Sequence, residues 1–268
     1  MTRNIFNSIL ISVLFFSCSV PVVNSLRQTK KIDVDGVAGE WNLPLRFYDI
    51  ESRLQYVFSN DDKNLYLCIR ATDEECQSKI LRTGLQVWID TLGKNKPQVG
   101  LLFPMAITDR KSNLSQLENN PGSNVEVSVL KKSFLGEHLQ EMFLSGFKAP
   151  IGGVTPIQND YGIQVKVNWD KDNILVYEAL IPIKTFYRES IKSMDSSKAL
   201  GLSIVLNPLP KPQAAGDTYD AGAANMPGIN GANGARAGVA SMRGGSTGPK
   251  GYLYEKSTVK LKIKLVRE

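Results

Sequence analysis

The chain has 268 residues, 42% of them hydrophobic and 22% charged, with a formal net charge of +6. That apolar fraction supports a packed core, while the even spread of lysine and arginine among acids excludes a nucleic-acid footprint. A single histidine, His138, excludes two-histidine zinc motifs.

Residues 1–17 read as a signal peptide: Arg3 supplies the positive start, and 9–16 (ILISVLFF) supply an apolar run interrupted only by Ser12. The run is far short of the ~20 apolar residues of a spanning helix. Ser17-Cys18, directly after it, resembles the cleavage site of bacterial lipoproteins, although Phe15 stands where leucine is usual. The resemblance implies an acylated Cys18 and an exported lipoprotein, anchored to a membrane in the periplasm or at the cell surface. Ordinary cleavage at Val23-Asn24-Ser25 is the alternative and would release a soluble protein. Residues 18–29 are then a tether. Cys68 and Cys76 enter an oxidising compartment, where a disulfide and two buried thiols are equally compatible with the sequence.

From residue 30 the chain alternates short β-like runs with turn clusters. The runs 54–59 (LQYVFS) and 65–70 (LYLCIR) form a hairpin through Asn60-Asp61-Asp62-Lys63-Asn64, residue types that bond their own backbone. Segment 84–90 (GLQVWID) follows, then a turn at 91–97 and a near-continuous apolar strand at 99–107. Residues 124–131 alternate as a strand, 134–147 suit a helix or, from 142, a strand, and 161–169 and 173–182 are strands. A short helix is predicted over 184–194 and a strand over 201–206. Residues 208–251 are rich in Gly, Ala, Pro and Asn and cannot bury enough surface to offset their ordering entropy, so a disordered Gly-rich loop insertion is predicted. Beyond it Val259, Leu261, Ile263 and Leu265 face one way and Lys260, Lys262 and Lys264 the other. That last apolar face needs the core, so the insertion lies within the domain. About a dozen short strands with few helices indicate one all-β domain over 30–268, an antiparallel β-sandwich.

The order of segments resembles family 9 carbohydrate-binding modules and the wider DOMON-like sandwich group. The matching residues are Ile32-Asp33-Val34-Asp35-Gly36 with Glu40-Trp41, then 56–61 and 64–67, Asp73, Val87-Trp88-Ile89-Asp90, and Glu178-Ala179-Leu180-Ile181-Pro182. They cover about residues 30–110 and 160–206, plus the last strand. The resemblance implies a sandwich, an extracytoplasmic location and, in many relatives, sugar binding. Some members hold structural calcium near acidic turns, which carries over only loosely to Asp73 and Asp90. No other cofactor is expected; the haem of some DOMON relatives would need His138 and a methionine, which no pattern supports.

No enzymatic pattern emerges. Paired carboxylates on one strand are absent, Glu178 stands alone on its strand as a satisfied polar residue, and the acids at 61–62 and 170–172 read as turn formers. Aromatics are more informative. Leu85, Val87 and Ile89 claim the core, which puts Trp88 outward with Gln86 and Asp90; likewise Tyr66, Cys68 and Arg70 lie opposite Leu65, Leu67 and Ile69. Trp88, Tyr66, Gln86 and Arg70 are therefore candidate ligand-binding residues, on strands expected in one sheet. Cover of Trp88 by a loop or by 111–160 is an equal alternative. Trp41 and Trp169 read as packing residues. The sequence thus predicts a non-catalytic envelope module binding a glycan. The alternative is an envelope structural or protein-interaction lipoprotein with no sugar ligand, using the Gly-rich loop or the lysine face.

Overall fold

In the computed structural model, residues 20–94, 96–105, 139–192, 195, 197–210 and 249–267 are described. The signal segment with Cys18, the strand expected at 124–131, His138 and most of the Gly-rich insertion lie outside them. Alternating burial produces two facing sheets. The first runs β1 (Val22–Asn24), β13 (Ser257–Lys264), β12 (Ala199–Leu206), β6 (Leu85–Asp90), β7 (Val99–Phe103), β8 (Glu141–Ser145) and β9 (Gly153–Pro156). The second runs β10 (Gln164–Trp169), β11 (Leu175–Pro182), β5 (Asn64–Ala71), β4 (Leu54–Asn60) and β2 (Leu26–Arg27), with β3 (Phe47–Asp49) also on β4. The all-β sandwich is therefore as expected. Its core is built from the inward residues of both sheets, among them Phe58, Leu67, Val87, Leu101, Tyr177, Leu202 and Leu261.

Two short pairings depart from a purely antiparallel plan. β1 runs parallel to β13, and β2 runs parallel to β4. The segment expected as a tether thus contributes an edge strand to each sheet from residue 22 onward. Its backbone finds partners there that a free tether would leave to water.

Strand alternation does not anticipate α1 (Glu74–Thr83), which carries the chain from β5 in one sheet to β6 in the other. Its signals are local: Asp73 caps the N-terminus by accepting from the Cys76 N–H at 2.9 Å, Glu74 and Glu75 sit in the first turn, and Gly84 follows with φ 79°. Among the described residues, the helix predicted over 184–194 is corrected to a 3-10 turn at Ile183–Thr185 followed by irregular chain to 192. Beyond it the Ile191 N–H donates to the Asp62 carbonyl of the β4–β5 turn, not to a helical neighbour. Asp195 gathers the rest by accepting from the Lys192 N–H and the Tyr187 hydroxyl.

After the Gly-rich stretch, α2 (Pro249–Leu253) leads into β13. The Leu209 N–H donates to the Leu253 carbonyl at 2.8 Å, so the two ends of the insertion meet. Cys68 and Cys76 are free buried thiols. Cys76 lies in the main core and Cys68 in a separate cluster outside the second sheet, which rules out the disulfide left open by the sequence. Burial pushes the Cys76 thiol up to about 11 and Cys68 well above its ordinary value, so neither is a ready nucleophile. Among the described residues no helix is long and apolar enough to cross a membrane.

Candidate functional site

The sandwich has two outer faces, and they differ in cover. Outside the second sheet, Val57, Tyr66, Cys68, Val176 and Leu180 form an apolar surface that segment 32–45 closes with Ile32, Ala38, Trp41 and Leu45. The latch is Glu178, fully buried on β11. Its Oε1 accepts from the Trp41 indole N–H at 2.6 Å, and its Oε2 from the backbone N–H groups of Gly36 at 2.7 Å and Asp35 at 3.1 Å. Gly36 has φ +80°, and a Cβ there would lie 2.6 Å from Asn168 Cβ, so glycine is required for this approach. Burial raises the Glu178 carboxyl, against the pull of the Trp41 and Gly36 donors. The "D-G … W" and "E-x-x-I-P" segments are thus two halves of one structural contact.

This cover removes two candidate residues from the site. Tyr66 is 3% exposed, and its hydroxyl donates to Asp61 Oδ2 at 2.6 Å. Arg70 pairs with Asp170 Oδ2 at 3.2 Å. Both belong to the second sheet, whereas Trp88 and Gln86 belong to the first. The expectation that Tyr66 and Trp88 share a sheet is therefore corrected: α1 separates their strands, and the two residues point away from opposite sides of the sandwich.

The loosely assigned calcium acids are also committed elsewhere. Asp73 caps α1 and pairs with Arg53 at 3.0 Å. Asp90 accepts from the Leu92 and Lys96 backbone N–H groups, each at 2.9 Å. Asp61 and Asp170 likewise serve their own turns: Asp61 accepts from the Lys63 and Asn64 N–H groups, and Asp170 from those of Asp172 and Ile174. No three His, Cys, Asp or Glu residues among those described are placed to hold a metal ion.

The outer face of the first sheet carries the candidate groove. On β6, Gln86 and Trp88 are partly exposed, alternating with the buried Leu85, Val87 and Ile89. Trp88 sits between Ser203 of β12 and Gly100 of β7 in the ladder. The indole lies across Gly100, where a Cβ would come within 2.5 Å of Trp88 Cζ3. Its N–H donates to Gln86 Oε1 at 2.8 Å, which fixes the ring in one orientation. Small residues on β12, Gly201 and Ser203, keep the floor low. With Lys256 and Lys260 on the far side, they bound a groove of ≈ 380 Å³. A flat, oriented aromatic beside a shallow polar trough suits the apolar face of a planar or ring-shaped ligand.

Trp41 is a packing residue, as expected. Trp169 is only partly buried, packs against the core and donates its indole N–H to Gln77 Oε1 at 2.9 Å. Gly100, Gly201 and Ser203 were not anticipated. Their signal is a small side chain at the outward phase of a strand, which has meaning only once the neighbouring strand is known.

No known family model matches the chain, and no curated protein matches it. Among solved structures, it is similar to a family 9 carbohydrate-binding module from Caldicellulosiruptor kristjanssonii in complex with glucose. The match has 9% identity and a TM-score of 0.40, covering 92% of this chain and 96% of that one.

Proposed function

We propose that this protein is a non-catalytic binding module of the cell envelope that takes a carbohydrate in the groove beside Trp88. The observation that carries the reading is the Trp88 indole, held flat over Gly100 by Gln86 and left partly open beside a trough of small residues. Sugar rings pack their C–H faces on such platforms. The test is Trp88→Ala, with stability and binding to immobilised polysaccharides measured on the same protein. Partly exposed, the indole contributes less than a core tryptophan, so the cost should stay under about 2 kcal/mol, against the ~3–5 kcal/mol of a buried one, while polysaccharide retention is lost. Gly100→Val should act similarly by pushing the ring off its seat. Severe unfolding of Trp88→Ala would make the residue a packing element.

A second reading has one observation in its favour. Phe143 and Val154, paired across β8 and β9 on the same outer face, are 41% and 53% exposed. They would serve an envelope protein partner, and retention of glycans unchanged in Trp88→Ala would favour that role.

Placement at a membrane is proposed from Ser17-Cys18 after the apolar run. Cys18→Ala should move the protein from the membrane fraction to the soluble fraction and abolish palmitate incorporation, because acyl chains would be its main attachment. Identical partitioning of the variant and the parent, with neither incorporating palmitate, refutes the anchor.

A further inference from the structure

Resting on the glycan reading above, we infer that the Trp88 groove selects acidic saccharides, carrying carboxylate or sulfate groups, over neutral ones. The charge on this face is one-sided. β13 presents Lys260, Lys262 and Lys264 outward, in register with Ser203, Gly201 and Ala199 of β12, and Lys256 precedes them. Alternate residues on a strand repeat every ~7 Å, so the lysines form a regular row beside the trough. None of the four pairs with a described acid.

The acids nearby do not neutralise the row. Asp90, on the same face, is 3% exposed and holds both oxygens on backbone N–H groups. Glu141 stands on β8, separated from β13 by β12, β6 and β7. Glu255 is close enough to Lys79 to act on its charge, at the α1 end of the sandwich.

Protection of a free sheet edge is the ordinary use of such lysines. It accounts for Lys260, which no described strand pairs on that edge. It does not account for Lys262 and Lys264, where β1 already covers the edge through Val22 and Asn24. The row continues past the place where protection is needed. Neutral-sugar recognition, by contrast, relies on side-chain donors and acceptors free to meet hydroxyls. Here Gln86 gives its Oε1 to the indole, and Ser203 and Thr258 supply the hydroxyl groups of the lining. Cationic ammonium groups are the dominant polar feature the groove offers.

The experiment compares dextran with dextran sulfate, and polygalacturonate with its methyl ester, on the full chain at low and at physiological ionic strength. The anionic member of at least one pair should bind tenfold or more tighter, and the advantage should shrink with salt. The two pairs tell sulfate from carboxylate. Lys260→Ala with Lys262→Ala should weaken anionic binding by about fivefold per lysine, the size of one charge pair at close range in water. A control pair on exposed lysines away from the groove, Lys30→Ala with Lys171→Ala, should leave it unchanged, and Trp88→Ala should abolish it. Equal binding of neutral and anionic members would overturn the charge inference while leaving the glycan site intact. An equal loss in the control pair would reduce the effect to diffuse attraction and also overturn it. Binding of no polymer at all would remove the glycan reading itself.

Discussion

Glu178→Ala should destabilise the protein by about 3–5 kcal/mol, the loss expected when buried donors lose their acceptor at about 1–3 kcal/mol each. The carboxylate is fully buried and accepts from three donors, the Trp41 indole and the amides of Asp35 and Gly36. Truncation leaves the Trp41 indole and the Gly36 amide without an acceptor in a buried site and the Asp35 amide without one in a partly buried site, and opens a cavity beneath segment 32–45. The damage should be local in its first stage. Exchange of the Gly36 amide and quenching of Trp41 fluorescence should both rise before global unfolding, since the segment is held to the sheet by this latch and by Ile32, Trp41 and Leu45. Glu178→Gln keeps the shape but turns one N–H₂ group toward a donor, so an intermediate loss is expected. Binding at Trp88 should persist in whatever fraction stays folded, because the groove lies on the other sheet. A loss under about 1 kcal/mol for Glu178→Ala would show that the segment is held by apolar packing alone.

The second large effect concerns Lys79. Its side chain is fully buried on α1, and the ammonium donates to the carbonyls of Tyr252 at 3.1 Å and Glu255 at 2.8 Å and to Ser257 Oγ at 3.3 Å. It also lies 4.2 Å from the centre of the Tyr252 ring, whose hydroxyl donates to the Ser52 carbonyl. Burial lowers the Lys79 ammonium below its ordinary value, which makes its partners necessary to keep it charged. Through these bonds α1 docks the chain that re-enters the fold after the Gly-rich stretch. Lys79→Ala should cost about 3–4 kcal/mol, combining unpaired carbonyls with a cavity. Lys79→Met fills the volume and isolates the polar loss, so it should cost less. Both should speed exchange of the Leu209 amide, which is bonded to the Leu253 carbonyl, while leaving the Gly36 amide protected. An unchanged Leu209 amide in Lys79→Ala would mean that other contacts dock α2.

The opposite exchange patterns expected of Glu178→Ala and Lys79→Ala reflect two separate closures of one sandwich. The first seals an outer face with the chain's N-terminal segment. The second returns the chain to β13, between β12 and the edge strand β1 of the other sheet. The first does not touch the Trp88 groove, whereas the second holds Glu255 and Ser257 on either side of Lys256 at its rim, so it is Glu178→Ala that should separate stability from binding.

Strand identity and facing were legible in the sequence because they are local. The pleat alternates side chains with period two, and Leu85, Val87 and Ile89 or Val259, Leu261 and Ile263 announce their buried side without reference to anything distant. The same rule placed Trp88 and Gln86 outward together, and the turn acids Asp61 and Asp170 in their own turns. It placed Tyr66 and Arg70 outward as well, correctly in phase. Alternation cannot say what lies over an outward face. Whether Tyr66 meets solvent was decided by segment 32–45, folded back by Glu178 from a strand far along the chain. Strand order was equally out of reach: α1 carries the chain across the sandwich, so β5 and β6, neighbours in sequence, end in different sheets. The groove inherits that limit. Gly100, Ser203 and Lys260 come from three strands brought around Trp88 by long-range burial, and only the folded sheet gives their small or charged side chains a common purpose.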